Sequence, residues 1–547
     1  MKTNFTKSLF FFAFLLFSLQ QVFAQKIEAE SAIISGGGPD NVAVIQPSNT
    51  ASGGYYVDSK ESNLSFSVNI PETSFYNIYI YAAAPNGDKI NTISIDGSGS
   101  DFSLTTNTDY LNLKAVSSYK LTAGQHTIEI IKSWGWINID YITLEKVDAS
   151  DRFDINQTLV TPNPTPEAVA LYRFLLDNYG QKIISGVMTL NSFDESNWLK
   201  TNTGKEPALL GIDLMHTNRG YNWYDDQTPI NDALAWYNKN GIPALMWHWR
   251  DPSRTTEAFY TDETNFDVSK IFDPNSSEYK AMIADIDYTS SLLKKLQDNH
   301  VAVIWRPLHE AAGGWFWWGA KGGAACKELY QVMYDRMVNV NGLRNLIWVW
   351  TREPNDEDWY PGDAYVDIVG RDVYKDGDHG SQAIEFNNMN ALYGGKKMIA
   401  LTECGSFPDV DNLINDGTAW SWYMPWYGKY TENSTYNSLD LWKKMFASDY
   451  VITLDEMPDL RSYGTITGIA AFNSEKTLVA YPSPVVNTVN IKSKDPIQSI
   501  IVYNTLGERV VEKNTHSRDL TLGMAGLKAG IYYLKVNGSE TIKIVKE

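Results

Sequence analysis

The chain has 547 residues, of which 43% are apolar, and it carries a net charge of −19. This length exceeds that of a typical single domain, so we expect several domains with packed cores. The negative charge disfavours nucleic acid and anionic membranes as partners, whereas a neutral polysaccharide meets no such repulsion. Two cysteines exclude a disulfide-dense scaffold, and Cys326 and Cys404 lack the spacing of metal ligands.

Residues 1–24 are predicted to form a signal peptide. Lys2 and Lys7 give a positive start, and the apolar run over residues 9–19 is too short to cross a bilayer. Ala24 supplies the small residue expected before a cleavage site. No later run approaches transmembrane length, so we expect a secreted or cell-surface protein without a membrane span.

Residues 25–147 are predicted to be β-rich, because short runs of alternating polarity are separated by glycine-containing turns. Several short strands at this spacing predict a β-sandwich. The segment resembles the family-35 carbohydrate-binding modules in three places, residues 27–30, 53–57 and 134–142.

This resemblance implies two sites in the module. A structural calcium ion would be held by Glu28, Glu30 and Asp140, and carboxylate oxygens are ligands that this hard cation prefers. Sugar would be bound by Trp136, or by Trp134 in its place, together with Asn138. The alternatives are ordinary surface carboxylates and a tryptophan packed in the core.

Residues 148–166 are predicted to be a linker. They are polar, and the proline-rich end over residues 161–166 favours polyproline II. A linker would hold the binding module near the catalytic domain and raise the effective concentration of substrate there.

Residues 167–475 alternate between helical and β-patterned stretches. Eight candidate strands cover residues 183–187, 208–212, 242–247, 301–305, 346–350, 366–373, 398–401 and 419–423. Eight such units predict a (β/α)8 TIM barrel, with its active site at the carboxyl ends of the strands.

Two glutamates follow strands of this barrel. Glu310 comes just after the fourth strand and precedes three tryptophans and a phenylalanine, and Glu403 follows the seventh strand. Burial beside indole rings raises a carboxyl pKa, so Glu310 is a candidate proton donor. Two carboxylates in a tryptophan-lined cleft are the minimum for glycoside hydrolysis. Core tryptophans and a salt bridge at the barrel mouth are the alternatives.

Residues 305–319 strongly resemble the acid/base motif of the family-26 glycoside hydrolases, the β-mannanase family. The resemblance implies that Glu310 is the acid/base and that Glu403 is the nucleophile. It therefore implies retention of the anomeric configuration, with the two carboxyl groups about 5–5.5 Å apart. It also implies a set of substrate-binding residues around the cleavage point: His248, Arg306, His309, Trp315, Asp372, Tyr374 and Trp426. A purely structural Arg306 remains an alternative.

Residues 476–547 are predicted to form a small β-sandwich. The segment resembles the C-terminal sorting domain of type IX secretion cargo at residues 481–484, 504–508 and 527–532. The resemblance implies export machinery as a partner, and a plain β accessory domain is the alternative.

We therefore expect a multidomain, secreted, retaining β-1,4-mannanase that cleaves mannan, galactomannan or glucomannan without a catalytic cofactor. A family-26 mixed-linkage β-glucanase or xylanase is an alternative within the same class. A polysaccharide-binding protein that has lost catalysis is an alternative from another class, although both glutamates are present.

Overall fold

The computed structural model of the chain describes residues 24–147, 153–354, 356–464, 478–481, 485–504, 508–537 and 540–546. Residues 1–23 of the predicted signal peptide and residues 148–152 of the predicted linker lie outside this description. The fold divides into a large compact unit that ends at Gly464 and a smaller carboxyl-terminal unit. Within the described ranges, no helix combines the length and apolarity needed to cross a membrane.

The amino-terminal domain is a β-sandwich, as predicted. Its strands are β1 (Ala24–Glu28), β2 (Ile33–Gly36), β3 (Val44–Pro47), β4 (Tyr55–Asp58), β5 (Ser62–Ile70), β6 (Ser74–Ala84), β7 (Lys89–Ile95), β8 (Ser98–Leu104), β9 (Asn107–Leu121), β10 (Gly124–Ile131) and β11 (Asn138–Val147). One antiparallel sheet has the order β3-β4-β11-β6-β9, with β1 also paired to β11, and the other has the order β2-β5-β10-β7-β8. Strand β5 alternates buried and exposed positions, so Leu64, Phe66 and Val68 point into the core between the sheets.

The central domain is the predicted TIM barrel. Its strands are β12 (Ile183–Met188), β13 (Leu209–Asp213), β14 (Ile242–Met246), β15 (Val303–Arg306), β16 (Leu346–Arg352), β17 (Ile368–Val373), β18 (Met398–Cys404) and β19 (Trp422–Pro425). They pair in parallel in this order, and β12 pairs with both β13 and β19, which closes the barrel. The short strand β20 (Val451–Ile452) also pairs with β12.

The eighth strand begins later than the sequence predicts. Residues 419–423 look like a strand because they are buried and mostly apolar, but the paired strand is Trp422–Pro425. The buried indole of Trp420 instead donates a hydrogen bond to the carbonyl of Ser381 at 2.9 Å. The apolar pattern that begins at Ala419 therefore results from burial and not from strand pairing.

Nine α-helices accompany the described strands of the barrel. They are α1 (Pro166–Asn178), α2 (Asp194–Thr203), α3 (Thr228–Asn238), α4 (Ser277–Asp298), α5 (Gly323–Asp335), α6 (Ala383–Leu392), α7 (Val410–Asp416), α8 (Lys429–Glu432) and α9 (Leu439–Phe446). Side-chain caps fix several starts: Thr165 accepts from the backbone N–H of Ala168, and Ser276 accepts from that of Tyr279. The helices cover the outside of the barrel and leave the strand ends to form the site.

The sandwich and the barrel share a packed interface. Ala383 and Ile384, in helix α6 of the barrel, are 1% exposed and belong to the hydrophobic core of the sandwich. Asn388 of the same helix accepts from the backbone N–H of Ser117 at 2.8 Å and donates to the carbonyl of Ala115 at 2.9 Å. The later part of the predicted linker also packs on the barrel, since Ile155 lies in the barrel core. The module is thus seated on the barrel rather than held only by a spacer.

The carboxyl-terminal unit is rich in sheet, as predicted. Its described strands are β21 (Leu478–Tyr481), β22 (Thr488–Asn504), β23 (Arg509–Gly523), β24 (Gly530–Val536) and β25 (Glu540–Lys546), all in antiparallel pairs. Ile491, Ile500, Val502 and Leu534 are among the residues of its own small core.

We predict that Ile384→Ala lowers the free energy of unfolding by about 2–4 kcal/mol, because it leaves a cavity in the core of the sandwich. The measurement is chemical or thermal unfolding of the full chain. Ile414→Ala is the matched control, since Ile414 is 49% exposed on helix α7 and should change stability by less than about 0.5 kcal/mol. Equal effects of the two substitutions would contradict a packed interface.

Candidate active site

The turn that carries Glu310 has a constrained backbone. Strand β15 ends at Arg306, Pro307 cannot extend the ladder, and both Leu308 and Glu310 adopt positive φ, at 51° and 52°. Non-glycine residues in this region cost energy and tend to occur at functional sites. Gly313 is needed beside them, because an added Cβ would lie 2.0 Å from the ring of Trp315. The turn thereby places Glu310 against that indole.

A β-bulge aligns two further carboxylates, those of Asp372 and Glu403. In the pairing of β17 with β18, Arg371 lies opposite Leu401 but Asp372 lies opposite Glu403, so Thr402 is the extra residue. Bulges of this kind redirect side chains at the ends of strands. Asp372 and Glu403 therefore stand side by side at the carboxyl ends of neighbouring strands.

The guanidinium of Arg306 bonds both of these carboxylates. Arg306 is 4% exposed, and it donates to Asp372 Oδ2 at 2.7 Å and to Glu403 Oε2 at 2.5 Å. The remaining oxygens are also bonded, since Thr402 donates to Asp372 Oδ1 at 2.6 Å and Tyr374 donates to Glu403 Oε1 at 2.5 Å. All four oxygens thus accept a hydrogen bond, two of them from the same guanidinium.

Glu310 completes a cluster of three carboxylates. One oxygen of each of Glu310, Asp372 and Glu403 lies within 4.8 Å of the others. The side chain of Glu310 makes a different kind of contact, because its Oε2 accepts from the indole N–H of Trp315 at 2.9 Å. The arrangement gives Glu310 no cationic partner at hydrogen-bond distance within the described residues.

The environments separate the acidities of the two glutamates. Burial raises the pKa of Glu310 far above its usual range, and the negative charges of Asp372 and Glu403 raise it further. Burial and Asp372 also raise the pKa of Glu403, but Arg306 and the hydroxyl of Tyr374 oppose this rise. Glu310 therefore holds its proton to higher pH than Glu403 does. An acid and an anion, side by side, are what glycoside hydrolysis requires.

Two histidines contact each other beside the cluster. His248 contacts Asp213 through Nδ1 at 2.6 Å, and its Nε2 lies 3.2 Å from Nε2 of His309. Among the described residues, Nδ1 of His309 has no hydrogen-bond partner, so the neutral ring carries its proton on Nε2 and donates to His248. Burial lowers the pKa of His309 well below its usual value, which agrees with a neutral ring.

These groups open into a cleft of about 410 Å³ at the barrel mouth. It is lined by His248, Tyr260, Glu310, Trp315, Phe316, Glu353, Arg371, Asp372, Tyr374, Glu403 and Trp426. Trp315 and Tyr374 are each 42% exposed, so aromatic surface is available inside the cleft. The cleft combines aromatic walls with charged groups at its floor.

The structure brings the predicted barrel residues together in two layers. His248, Trp315, Asp372, Tyr374 and Trp426 line the cleft with the two glutamates. Arg306 and His309 lie behind the wall instead, at 4% and 1% exposure. They hold other residues of the site in place.

Sequence reasoning missed four residues of the cleft: Tyr260, Phe316, Glu353 and Arg371. Tyr260 belongs to the long insertion after β14 and stacks on Phe316 at 5.5 Å, so this insertion forms part of the wall. Phe316 was visible in the motif as an aromatic, but its place in the wall was not. Glu353 and Arg371 gave no signal beyond their position near strand ends.

Arg371 connects the cleft to the module. It donates to Glu353 at 2.9 Å and to Glu385 at 2.8 Å, and Ser100 of strand β8 donates to Glu385 at 2.9 Å. Burial raises the pKa of Glu353 to about 7, against the opposing effect of Arg371. A continuous hydrogen-bonded path therefore runs from the sandwich to the cleft.

The three clustered carboxylates would suit a metal only if their oxygens were free. Those of Asp372 and Glu403 already accept from Arg306, Thr402 and Tyr374. A cation at this point would have to displace a buried guanidinium of the same charge sign. The donor set matches proton chemistry better than metal binding.

The predicted calcium ligands of the module gather around one turn. Ser52 donates to Glu28 Oε1 at 2.8 Å and, through its N–H, to Asp140 at 2.9 Å. Within the described residues, Oε2 of Glu28 and Oε2 of Glu30 are buried without a hydrogen-bond partner, so both oxygens are available as cation ligands. The fit is partial, because Lys26 already lies 2.9 Å from Glu28 and the barrel cluster is the one described acidic trio with oxygens mutually within 4.8 Å.

The predicted sugar-binding residues of the module lie near its surface. Trp136 and Asn138 are half-buried, and Trp136 has a positive φ of 54°. The neighbouring Trp134 is 67% exposed. Both indoles are thus near solvent at the start of strand β11.

Comparison with known families matches each part of the chain. Residues 160–456 match glycosyl hydrolase family 26, residues 25–147 match carbohydrate binding module family 35, and residues 479–547 match the secretion system C-terminal sorting domain.

Similar proteins cover most of the chain. A mannan endo-1,4-β-mannosidase of Thermothelomyces thermophilus is 38% identical over 452 residues, which is 79% of this chain and 90% of that protein. The crystal structure of a GH26-CBM35 β-(1,4)-mannanase of Podospora anserina is 36% identical, with a TM-score of 0.55, covering 80% of this chain and 99% of that one. The β-mannanase of a symbiotic protist of the termite Reticulitermes speratus, solved with a gluco-manno-oligosaccharide, is 44% identical, with a TM-score of 0.54, covering 56% of this chain and 99% of that one.

The carboxylate pair, the closed barrel and these matches agree with one another. The chain belongs to glycosyl hydrolase family 26, and it carries a family-35 carbohydrate-binding module before its barrel and a secretion-system sorting domain after it.

Proposed function

We propose that this protein is a secreted, retaining endo-β-1,4-mannanase, with Glu310 as the acid/base and Glu403 as the nucleophile. The observation that carries the proposal is the cluster of three carboxylates in an aromatic-lined cleft, where Asp372 and Glu403 share one guanidinium and Glu310 does not. The choice of mannan, and of endo action, rests on the relatives, which include mannan endo-1,4-β-mannosidases at 38% and 33% identity over 90% and 81% of their lengths.

In the first step, Glu310 protonates the departing glycosidic oxygen while Glu403 attacks the anomeric carbon. The indole N–H of Trp315 occupies Oε2 of Glu310, so the transferable proton belongs on Oε1. Glu403 is kept anionic by Arg306 and the hydroxyl of Tyr374. The bond to the leaving sugar breaks, and a covalent glycosyl-enzyme forms.

In the second step, Glu310 is an anion and accepts a proton from water. The resulting hydroxide equivalent attacks the anomeric carbon and releases Glu403. Two displacements at the same carbon restore its original configuration. No metal is required at any point, because protons and a carboxylate nucleophile carry the chemistry.

Two other functions remain as alternatives to mannan hydrolysis. A family-26 β-glucanase or xylanase would use the same glutamates, so the rates of reducing-sugar release from galactomannan, lichenan and xylan separate these activities. A polysaccharide-binding protein without catalysis is disfavoured, since both carboxylates and their supporting Arg306 are in place.

Export is proposed to use two signals. The sorting domain over residues 479–547 directs the protein to the type IX system, and the predicted signal peptide over residues 1–24 would take it across the inner membrane first. Its substrate, an extracellular polysaccharide, cannot reach the enzyme inside the cell, which accords with this route.

We predict that Glu310→Ala and Glu403→Ala each lower kcat on galactomannan by about 10³-fold or more, because each removes a group that reacts directly. An aryl β-mannobioside with an acidic phenol as leaving group needs no protonation. Glu310→Ala should therefore keep its first step on that substrate, whereas Glu403→Ala should lose it.

Glu357→Ala is the control for both variants, since its side chain is 54% exposed near the same end of the barrel. It should hydrolyse galactomannan at the rate of the unsubstituted protein. Full activity in either glutamate variant, or an inverted product anomer by NMR, would contradict the assignment.

We predict a bell-shaped dependence of kcat/KM on pH, with the acidic limb set by Glu403 and the basic limb by Glu310. Burial raises both pKa values, so both limbs should lie above the range of free carboxylic acids. Tyr374→Phe removes a hydrogen bond that stabilises the Glu403 anion, so the acidic limb should move to higher pH by about one unit. Tyr430→Phe is the control, because Tyr430 packs on Tyr374 at 5.4 Å and leaves that bond intact. If Tyr374→Phe shifted the basic limb alone, the assignment of the acidic limb to Glu403 and of the basic limb to Glu310 would be wrong.

We further propose that Glu28, Glu30 and Asp140 bind a structural calcium ion in the module. Calcium at a hundredfold excess over its Kd should stabilise the protein by about 2.7 kcal/mol, measured as a higher Tm that a chelator reverses. Asp140→Ala should abolish the response to calcium. Glu72→Ala should keep it, since Glu72 is an exposed carboxylate of the same module that pairs with Lys146. A Tm independent of calcium in the unsubstituted protein would refute the site.

A further inference from the structure

Glu353 is a carboxylate of the cleft that the two proposed displacement steps do not use. It directly follows strand β16, its side chain is 13% exposed, and it lines the cleft together with Glu310 and Trp315. Burial raises its pKa to about 7, so the surrounding groups do not fully offset the cost of its charge. A carboxylate kept in such a place is a candidate for a role in binding.

The turn that carries Glu353 is fixed by its own backbone. The N–H of Glu353 donates to Asp356 Oδ2 at 2.9 Å, and Asp356 is 1% exposed. Arg352, the last residue of β16, lies 3.5 Å from the other carboxylate oxygen of Asp356. The position of Glu353 is therefore set before any ligand arrives.

One guanidinium holds the side chain of Glu353. Arg371 donates to Oε1 of Glu353 at 2.9 Å. The same guanidinium donates to Glu385 at 2.8 Å and to the backbone carbonyl of Asp372 at 2.9 Å, which fixes its plane. Among the described residues, none donates a hydrogen bond to Oε2 of Glu353, so this oxygen can accept one from a ligand in the cleft.

The order of the strands places Glu353 on the side of the proposed acid. Strand β16 pairs with β15, whose end leads to Glu310, whereas Glu403 ends β18 and is followed around the barrel by Trp426 after β19. The negative charge of Glu353 raises the pKa of Glu310, as expected for neighbouring groups. An acid protonates the oxygen of the departing sugar, so that sugar lies on the side of Glu310. Glu353 therefore faces the departing sugar rather than the sugar that Glu403 attacks.

We propose that Glu353 is a specificity-determining residue for the departing sugar, whose hydroxyl groups donate hydrogen bonds to its carboxylate. This inference rests on the proposed function, because it assumes a hexopyranose chain that is cleaved between Glu310 and Glu403. Hydrogen bonds to a charged acceptor are about twice as strong as those to a neutral one. A sugar with a hydroxyl group at the right point is bound, and a sugar that lacks it leaves the carboxylate unpaired.

The test measures how the glycosyl-enzyme of the full chain divides between water and an added sugar. The aryl β-mannobioside with an acidic phenol forms the glycosyl-enzyme, and methyl β-mannoside is the acceptor. A hydroxyl of the acceptor gives its proton to Glu310, its oxygen bonds to the anomeric carbon, and the bond to Glu403 breaks. Water follows the same route, so a change in the acidity of Glu310 affects both products and largely cancels in the ratio of transfer to hydrolysis.

Glu353→Ala should lower this ratio by about tenfold or more, the loss expected for one hydrogen bond to a charged group. Glu353→Gln keeps the size of the side chain and should lower the ratio by a smaller factor, since a neutral acceptor remains. The kcat/KM for phenol release should fall less than threefold in both variants, because the phenol carries no sugar hydroxyl.

Acceptors that lack one hydroxyl group identify the bonded atom. One monodeoxy form of methyl β-mannoside should show the same loss of transfer with the unsubstituted protein as Glu353→Ala shows with the complete acceptor. That form should lose nothing further in Glu353→Ala, because the two changes remove the same hydrogen bond.

Glu357→Ala is the matched control, since Glu357 belongs to the same turn but its side chain is 54% exposed and pairs with Arg352. It should leave the ratio unchanged. If Glu353→Ala moved the pH profile and left the ratio unchanged, Glu353 would act on Glu310 through its charge alone and the inference would be wrong. Equal losses of phenol release and of transfer would likewise overturn it, since they indicate a structural role.

Failure of the proposed function has a different signature. If the unsubstituted protein releases no phenol from the aryl β-mannobioside, the proposed mannan specificity has failed. The same ratio is then measured with the aryl glycoside and the methyl glycoside of the sugar that the protein does cleave.

Discussion

The site depends on one buried guanidinium. Arg306 bonds both Asp372 and Glu403, at 2.7 and 2.5 Å, in a cluster where three carboxylates lie within 4.8 Å. Three such groups cannot all ionise in a buried place, because each unpaired charge there costs several kcal/mol. Arg306 stabilises two of them, so the third, Glu310, keeps its proton. The proposed roles of acid and nucleophile therefore follow from which carboxylates the arginine reaches.

This charge arrangement also explains features of the backbone around it. The bulge at Thr402 puts Glu403 opposite Asp372, where one guanidinium can bond both. The positive φ of Glu310 aims its side chain at Trp315, which donates a hydrogen bond without adding a positive charge. A lysine at the position of Trp315 would favour the ionised form of Glu310 and remove the proposed acid. The positive φ of Glu310 and the bulge at Thr402 each cost conformational free energy. They place the carboxylates where this charge arrangement needs them.

Patterns along the chain predicted the parts of the site that are local. Glu310 and Glu403 stood out because each follows an apolar strand and lies beside glycine or tryptophan. The layered placement of Arg306 and His309 was not visible, since a strand end does not reveal which side chain faces the cleft. Glu353 and Arg371 were missed for a related reason. They belong to a hydrogen-bond network with Glu385 and Ser100, and Ser100 is distant in sequence. The eighth strand was misplaced because a buried loop and a buried strand share the same apolar pattern.

The contact between sandwich and barrel changes what the module does. A module on a free linker would act only through local concentration, and it could be removed without effect on soluble substrates. Here Ile384 of the barrel lies in the core of the sandwich, and Ser100 of the sandwich supports Glu385, which bonds Arg371 at the cleft. Since Arg371 also bonds Glu353 in the cleft wall, Ser100 of the sandwich belongs to the hydrogen-bonded network that supports this wall. The module is therefore joined to the cleft by packing and hydrogen bonds as well as by its place in the chain.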